Sequence, residues 1–280
     1  ESLIAALHRV LLPVRLRDTS TMTYVIESKV LRKLGSERPI ELTLLTVTKP
    51  GERAKGVEFL ERVAKLFPGL QLSRKIVEGT SPSELILDEA AKGYDLMLLG
   101  ASEEMGSSRV LFNPMVDYLL RVSPCPTMVV RGSPGYEKWT GSRILVPTSG
   151  TLASRRAGEV GFALAREEGD RVILLNVVQR QSQITLDPDN SLFQRQLGAA
   201  RQIVSDLRVI GDSIANAIDE EVRVGRDPER VILDLAQKED IDLIILGTDL
   251  RPGSQRLFLG PKVERILNHA PCPVIIFNAG

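Results

Sequence analysis

The clearest candidate for chemistry is a glycine-containing loop that follows an apolar run near the end of the chain. Residues 241–247 read IDLIILG, a polar stretch with Gly253 and Gly260 comes next, and an amphipathic helix follows. A strand, a glycine loop and a helix start can hold phosphate, because glycine lets backbone N–H groups approach an anion and the helix dipole attracts it. Pro261 argues against such a site, because it removes one N–H donor and stands where a hydroxyl would help most. A weakened phosphate site and a simple turn are both compatible with this loop.

A second candidate is the pair Thr148 and Ser149, which follows the apolar run RILVP. Two hydroxyls at the end of a strand can contact a phosphate, but they do not make a nucleophile here. The chain has only two histidines, in distant segments, so a catalytic triad and a His-based metal site are not expected. We therefore predict no catalytic residue, no metal ligand and no enzymatic turnover. Cys125 and Cys272 each lie between prolines, where a small buried side chain is the expected role.

The chain contains an internal repeat. Residues 94–130 align with residues 241–277 without a gap. The matched pairs include Asp95 with Asp242, Gly100 with Gly247, Arg109 with Arg256, Pro114 with Pro261 and Cys125 with Cys272. The period is far too long for a solenoid, so the sequence indicates a duplicated domain.

Each copy alternates short apolar runs with helical patterns. Apolar runs of this kind are typical of parallel strands that are covered on both faces. In the second copy we predict helices over residues 152–169 and 191–218, and a further helix that starts after Asp227 as N-cap. The predicted fold class is α/β, with two tandem doubly wound domains that each contain a five-stranded parallel sheet.

The Gly, Pro and Ser residues near position 136 indicate the boundary between the copies. We predict a first domain over residues 1–135, a linker over 136–142 and a second domain over 143–280. An apolar edge strand left open invites aggregation, so we also predict that the domains pack through their last strands, TMVVR and PVIIF.

Composition excludes several classes of protein. The 36 basic residues balance the 36 acidic residues, which argues against a nucleic-acid partner. No apolar run is long enough to span a bilayer, and the two cysteines without a CxxC motif fit a reducing cytoplasm. The chain opens with Glu1 rather than Met, which fits a piece of a longer protein.

Taken together, the duplicated α/β units with RILVP-like starts and PCPV-like ends resemble the universal stress protein family. The resemblance covers nearly the whole chain and implies a flavodoxin-like sheet in each domain. It also implies, for one subclass, ATP or AMP bound at the strand ends by a motif of Gly, two residues, Gly, nine residues, Gly, then Ser or Thr. In the second copy Gly247 and Gly260 match this motif, whereas Leu250 and Pro261 replace the middle glycine and the hydroxyl.

The first copy departs further from the motif. Glu103, Asn113 and Pro114 stand at three of its four positions. The Asp that the subclass carries after its first strand is replaced by Arg15 in the first copy and by Ser149 in the second. The resemblance therefore implies weak binding of ATP or AMP, in the second domain only. The implied ligand-binding residues are Thr148, Ser149, Val177, Gly225, Gly247, Gly253, Ser254 and Gly260.

We expect a non-catalytic regulatory or sensor module of the cytoplasm, since family members of this kind also occur as cytoplasmic tails of cation/proton antiporters. The expected partners are an adenine nucleotide and a membrane transporter domain in the same chain, and a homodimer is a further hypothesis. The alternative is a free-standing ATP-binding stress protein with slow nucleotide hydrolysis. A flavoprotein-like electron-transfer domain fits less well, because aromatic residues make up only 4% of the chain and no aromatic flavin loop is present.

Overall fold

A computed structural model describes residues 3–16, 21–101, 112–132, 139–179, 191–248 and 259–279. These residues fall into two units. Unit 1 comprises residues 1–139 and 277–280, and unit 2 comprises residues 140–248 and 259–276. Within the described ranges, no helix is both long enough and apolar enough to cross a membrane.

Unit 1 alternates strands and helices in the predicted order. Its strands are β1 Arg9–Pro13, β2 Glu41–Thr48, β3 Gln71–Glu78, β4 Leu96–Ala101 and β5 Thr127–Arg131. Its helices are α1 Leu3–Ala6, α2 Thr21–Leu34, α3 Arg53–Ala64, α4 Pro82–Ala90 and α5 Pro114–Val122. The strand order is β3-β2-β1-β4-β5, and all four neighbouring pairs are parallel.

Unit 2 repeats this arrangement. Its strands are β6 Arg143–Pro147, β7 Arg171–Gln179, β8 Ile218–Gly225, β9 Leu243–Thr248 and most of β10 Val274–Asn278. Its helices are α6 Leu152–Leu164, α7 Ser191–Gly211, α8 Pro228–Lys238 and α9 Pro261–His269. Strand β6 pairs in parallel with β7 and β9, β7 pairs in parallel with β8, and β10 lies beside β9. The prediction of an α/β fold with a doubly wound sheet in each copy is confirmed.

Burial explains why the apolar runs form the central strands. All three middle residues of β1 and of β6 are fully buried, as are the first residues of β9. The outer strand of each unit differs, since β3 and β8 have no fully buried residue. Helices α6 and α7 contact each other, as do α8 and α9, so the helices of unit 2 form two pairs that cover the sheet.

Two predicted helices are shorter than their sequence patterns. Helix α6 ends at Leu164 instead of residue 169. Ala165 leaves the helical conformation, and its carbonyl accepts a hydrogen bond from the Asn216 N–H at 2.8 Å. Helix α7 ends at Gly211 instead of residue 218. A side chain at Gly211 would collide with Phe162 and Ile218. In both cases tertiary contacts end the helix before its apolar periodicity does.

Candidate functional site

The predicted residues Thr148 and Ser149 lie at the carboxyl end of β6, where the chain enters α6. Thr148 is buried, and its carbonyl oxygen accepts a hydrogen bond from Asn176 Nδ2 on β7 at 2.8 Å. Ser149 is exposed. In a parallel α/β sheet, ligands bind outside the carboxyl ends of the strands, so both residues lie at the expected edge.

Most of the hydroxyls near this strand end bond to one another. Ser154 Oγ accepts from Thr148 Oγ1 and from the Ser149 N–H, each at 3.3 Å, and it donates to the Thr151 carbonyl at 3.0 Å. Thr151 caps α6, because its side-chain oxygen accepts from the Ser154 N–H. The cap and the buried hydroxyls stabilise the strand–helix turn. Ser149 is exposed, and its Oγ lies 3.4 Å from the Oγ1 of Thr151, which is also exposed.

Gly247 lies on β9 directly against the first turn of α6. A Cβ at this position would overlap the backbone carbonyl of Ala153, which cannot move aside without displacing the helix. Close packing of strand and helix therefore requires glycine here, whether or not a ligand binds. In unit 1 the equivalent Gly100 faces side chains instead, with Thr23 Cγ2 at 2.9 Å and Glu27 Oε1 at 3.0 Å from the position of a Cβ.

Val177 and Gly225 lie together at the ends of β7 and β8. Val177 Cγ1 is 4.0 Å from the position of a Cβ at Gly225, which itself pairs in register with Gln179. Gln179 Oε1 accepts a hydrogen bond at 3.1 Å from Lys262 Nζ, and Lys262 is the second residue of α9. The structure thus connects the predicted adenine side of the site to the start of α9 through Gln179.

Gly260 precedes α9 and has φ 89° and ψ 152°, a conformation that suits glycine. No side chain of the described residues accepts a hydrogen bond from the first turn of α9, and none lies within 4 Å of the position of a Cβ at Gly260. Within the described ranges, the first turn of α9 therefore has no side-chain cap, and Pro261 removes one further donor.

The start of α5 in unit 1 is closed by a side chain. Asn113 Oδ1 accepts from the N–H groups of Met115 and Val116 at 3.0 and 3.1 Å, and from Arg15 Nη2 at 2.6 Å. The position that an anion would take at this helix is therefore already occupied by an amide oxygen. The two copies differ in chemistry at the same place in the fold.

Unit 1 nonetheless contains a cavity of ≈ 470 Å³ at this edge of its sheet. Its wall is mainly aliphatic, and the polar side chains that line it are Arg15, Tyr24 and Asn113. A cavity of this size is large enough for a small molecule. Because most of its lining residues are aliphatic, the cavity offers mainly apolar contacts.

The remaining predicted residues concern the 249–258 loop, the N-cap of α8 and metal binding. Gly253 and Ser254, like Leu250, lie outside the described residues. Asp227 stands at the N-cap of α8 as predicted, but its side chain makes no capping hydrogen bond. In the described ranges, no group of three His, Cys, Asp or Glu side chains could hold a metal ion.

Both cysteines are buried and reduced. Burial raises the pKa of the Cys272 thiol to about 12, and the charge of Asp242 acts in the same direction. Burial also raises the pKa of the Cys125 thiol. A thiol with a raised pKa is a poor nucleophile, which fits a packing role.

Sequence reasoning missed Lys262, Gln179 and Asn176 as parts of this edge. The position of Lys262 directly after Gly260-Pro261 was a usable signal. A basic residue in the first turn of a helix interacts unfavourably with the helix dipole, so its presence there suggests a role such as anion binding. Asn176 breaks the apolar run of β7, which was the corresponding signal there. Gln179 gave no signal, since a polar residue at a strand end is common.

Comparison with known proteins agrees with this architecture. The sequence profile of the universal stress protein family matches residues 5–131 and again residues 141–278. Universal stress protein E of Salmonella typhi is 26% identical over 252 residues, covering 83% of this chain and 77% of that protein. Universal stress protein E of Escherichia coli K12 is 25% identical over 253 residues, with the same coverage.

Solved structures share the fold over nearly the whole chain. A universal stress protein from Archaeoglobus fulgidus has a TM-score of 0.66 at 16% identity and covers 97% of this chain and 98% of its own. A functionally unknown protein from Pseudomonas aeruginosa PAO1 has a TM-score of 0.68 at 18% identity and covers 99% of this chain and 94% of its own. With a family match to both halves and the same fold in each unit, the chain belongs to the universal stress protein family and carries two copies of its domain in tandem.

Proposed function

We propose that the chain is a cytoplasmic, non-catalytic regulatory module in which the second domain weakly binds an adenine nucleotide, ATP or AMP. The observation that carries this proposal is the difference between two helix starts. Among the described residues, no side chain caps the start of α9 at Gly260, whereas Asn113 caps the start of α5. An open helix N-terminus attracts phosphate, because unpaired N–H groups and the helix dipole both point at the anion.

Lys262 supplies the positive charge for such a site. Its ammonium group uses one hydrogen bond on Gln179, and the described residues supply no carboxylate that pairs with it. Charge-assisted hydrogen bonds to phosphate are stronger than neutral ones. On this proposal Lys262 and the first turn of α9 bind the phosphates, with Ser149 Oγ beside them, and Val177 and Gly225 contact the base.

The proposal is tested by repairing the site. Leu250→Gly with Pro261→Ser restores a glycine and a hydroxyl, and it should tighten ATP binding by about one to two orders of magnitude. The matched repair in unit 1 is Glu103→Gly with Asn113→Gly and Pro114→Ser, and it should gain less, because Arg15 and the aliphatic cavity remain. Isothermal titration calorimetry of the wild type and both variants gives the affinities.

Removing Lys262 tests the site in the opposite direction. Lys262→Gln should weaken ATP binding by about tenfold, since one charge-assisted contact is lost. Lys238→Gln on the neighbouring helix α8 is the control and should leave the affinity unchanged. If the repaired site binds ATP no better and Lys262→Gln binds it no worse, the 247–261 loop is only a turn.

For unit 1 we propose that the cavity does not act as a second nucleotide site. The Asn113 cap and the aliphatic wall favour an uncharged apolar group over a phosphate. ATP should accordingly bind with a stoichiometry of one per chain, and a stoichiometry of two would contradict this assignment.

The proposal of no turnover rests on missing groups. Phosphoryl transfer needs charge stabilisation near the phosphates, usually by a metal held by carboxylate or hydroxyl groups. Arg15, Ser149 and Pro261 stand where the nucleotide-binding subclass has such groups. ATP hydrolysis above background that is lost in Ser149→Ala would instead support the alternative, a free-standing stress protein with slow hydrolysis.

A finer proposal is that this module regulates a cation/proton antiporter as its cytoplasmic tail. The tandem repeat and the replaced motif residues Leu250 and Pro261 support a regulatory role, and the transporter is the expected partner of such a tail. Sequencing the transcript upstream of the codon for Glu1 tests the attachment. Apolar spans in the same reading frame would support it, and a start codon immediately upstream would refute it.

A further inference from the structure

The amino-terminal ends of β1, β2 and β3 surround a second cavity in unit 1, at the opposite edge of the sheet from the site described above. Arg9, Glu41 and Gln71 begin these three strands and lie side by side in register. The cavity has a volume of ≈ 390 Å³, and Leu72 is the only aliphatic residue in its wall. The other lining side chains are charged or can form hydrogen bonds.

A buried carboxylate organises this cavity. Glu89, at the end of α4, is only 3% exposed and accepts hydrogen bonds from Lys75 Nζ and Lys92 Nζ at 2.8 Å each and from Tyr94 Oη at 2.9 Å. Burial acts to raise the pKa of Glu89, but these three hydrogen bonds outweigh it, so the pKa lies below its ordinary value. Glu89 therefore remains charged and holds two ammonium groups in fixed positions.

The cations keep hydrogen-bond donors that the described residues do not use. Lys75 and Lys92 each donate to Glu89 and retain further N–H groups. Arg9 Nη1 donates to the carbonyls of Lys92 and Gly93 at 3.1 and 2.9 Å, and its guanidinium lies 4.7 Å from the centre of the Tyr94 ring. Its Nε and Nη2 groups have no partner within the described ranges. With Glu41 counted, three cations face two carboxylates, so the cavity carries one net positive charge.

Unit 2 shows that the fold does not require this cluster. Glu89 is the eighth residue of α4, and the eighth residue of α8 is Leu235. Tyr94 precedes Asp95 of the repeat, and Ile241 precedes the matching Asp242. Both Leu235 and Ile241 are buried. The buried apolar residues Leu235 and Ile241 thus satisfy the fold where unit 1 has Glu89 and Tyr94. Burying charged groups at these positions is unfavourable unless they are fully paired.

Two positions of β3 also differ in charge from the matching positions of β8. Lys75 pairs in register with Leu45, and at the matching position in unit 2 Glu221 pairs with Leu175. Ser73 likewise corresponds to Asp219. At these two positions of β3, unit 1 thus has a cation and a hydroxyl where unit 2 has two carboxylates, which favours an anion in unit 1. The start of β2 differs in the opposite sense, because Glu41 is matched by Arg171.

We propose that this cavity is an anion-binding site in which Arg9, Lys75 and Lys92 bind the phosphate or carboxylate group of a small polar metabolite. The unused donors of the three cations contact the anionic group, and Ser73 and Gln71 are placed to bind hydroxyls of the same molecule. Glu89 is a positioning residue, because it fixes the two lysines without itself contacting the anion. This site is independent of the nucleotide site proposed in unit 2.

Calorimetric titration of the intact chain tests the proposal, with glucose 6-phosphate, inorganic phosphate, citrate and the neutral sugar glucose as probes. Glucose 6-phosphate or citrate should bind, and glucose should not. Binding of the phosphates but not citrate would identify a phosphate site, and binding of citrate alone would identify a carboxylate site. If no anion binds at millimolar concentration, or if glucose binds equally well, the proposal is wrong.

Two variants locate the binding. Ser73→Asp places the unit 2 residue in an exposed position and should weaken anion binding by about tenfold through like-charge repulsion. Lys75→Gln with Lys92→Gln and Glu89→Leu removes both ammonium groups together with the carboxylate they neutralise, and it should abolish binding. A thermal melt checks that each variant folds, and Ser73→Asp keeps the test valid if the triple variant does not.

Unit 2 provides the matched controls. Lys238→Gln changes the counterpart of Lys92 and should leave anion binding unchanged. Lys262→Gln removes the phosphate contact of the proposed nucleotide site, so it serves as the background in which the unit 1 variants are titrated. Anion binding that survives Ser73→Asp in this background, or that is absent from the background itself, would place the anion elsewhere and overturn the proposal.

Discussion

Glu27 makes the stability of this protein depend on pH in a way that one substitution should remove. This residue of α2 is fully buried, and neither carboxylate oxygen has a hydrogen-bond partner within the described residues. Its Oε1 lies against Gly100 of β4, where no side chain can shield it. Burial without a compensating partner disfavours the charged form and raises the pKa of Glu27 from 4.5 to about 8.

The direction of the effect follows from the two pKa values. Below pH 4.5 Glu27 is neutral in both the folded and the unfolded chain, and the full stability is present. Between pH 4.5 and about 8 the unfolded chain loses the proton while the folded chain keeps it, so the free energy of unfolding falls as the pH rises. The difference of about 3.5 pH units, at about 1.4 kcal/mol for each, gives a loss of about 5 kcal/mol.

Chemical denaturation of the wild type and of Glu27→Gln, from below pH 4.5 to above pH 8, measures this loss. The variant keeps the shape of the side chain without a titrating group, so it should lack the decline and be several kcal/mol more stable than the wild type at pH 8. Glu159→Gln is the control, because Glu159 is buried on α6 but is held by Arg156 at 2.9 Å. It should be destabilised rather than stabilised. Parallel pH profiles for the wild type and Glu27→Gln would refute the reasoning.

Three further predictions follow from contacts described above. Gly247→Ala should lower the free energy of unfolding by about 2 kcal/mol or more in denaturant titrations, because the added Cβ meets the backbone of Ala153. The control Gly198→Ala has open space around it and should be neutral or slightly stabilising. Equal effects of the two substitutions would contradict the packing argument. Thr151→Ala and Asn113→Ala should each lose about 1 kcal/mol of stability, since each removes a helix cap, and an unchanged melting temperature for either would disprove its capping role. Cys272 should resist iodoacetamide in the native protein and react only after unfolding, as measured by mass spectrometry, because burial raises its pKa to about 12.

The sequence was sufficient to predict the fold because its signal is regular and repeated. Apolar runs such as IDLIILG can only be buried strands when helices flank them, and the gapless repeat doubles the evidence. The ends of α6 and α7 were not predictable, because they depend on Phe162 and Gly211, which meet only in the folded domain. The exact domain boundaries and the packing of the domains through their last strands stay predictions.

The places of the candidate residues in the fold were predictable, whereas their role in binding stays a prediction. Thr148, Ser149, Val177, Gly225 and Gly260 lie at strand ends or at a helix start, which the order of the elements determines. Gly247 is required for close packing against the backbone of Ala153. In the sequence alone, such a glycine cannot be told from one that is required for ligand binding. Asn113 appeared to be a loss of the motif and is in fact a helix cap, a role that only its hydrogen bonds reveal.

The helical pattern of each segment did not reveal the buried charges. Glu27 and Glu89 each stand in an amphipathic helix, where a glutamate is normally exposed, and nothing in the helical pattern sets them apart. Their burial depends on the crossing of the helix over the sheet. The comparison of the two copies provides the missing signal, because Leu235 stands where unit 1 has Glu89.

The pairing of each central strand has a consequence for folding during synthesis. Val10 of β1 pairs with Leu96 of β4, which lies 96 − 10 = 86 residues later, and Ile144 of β6 pairs with Leu243 of β9, 243 − 144 = 99 residues later. Closing a loop of this length carries an entropic cost of about 4 kcal/mol before any contact compensates for it. A nascent chain that has released only β1, β2 and β3 therefore exposes one edge of its most apolar strand. The interval before β4 leaves the ribosome is accordingly the period in which each domain is most open to aggregation and to chaperone binding.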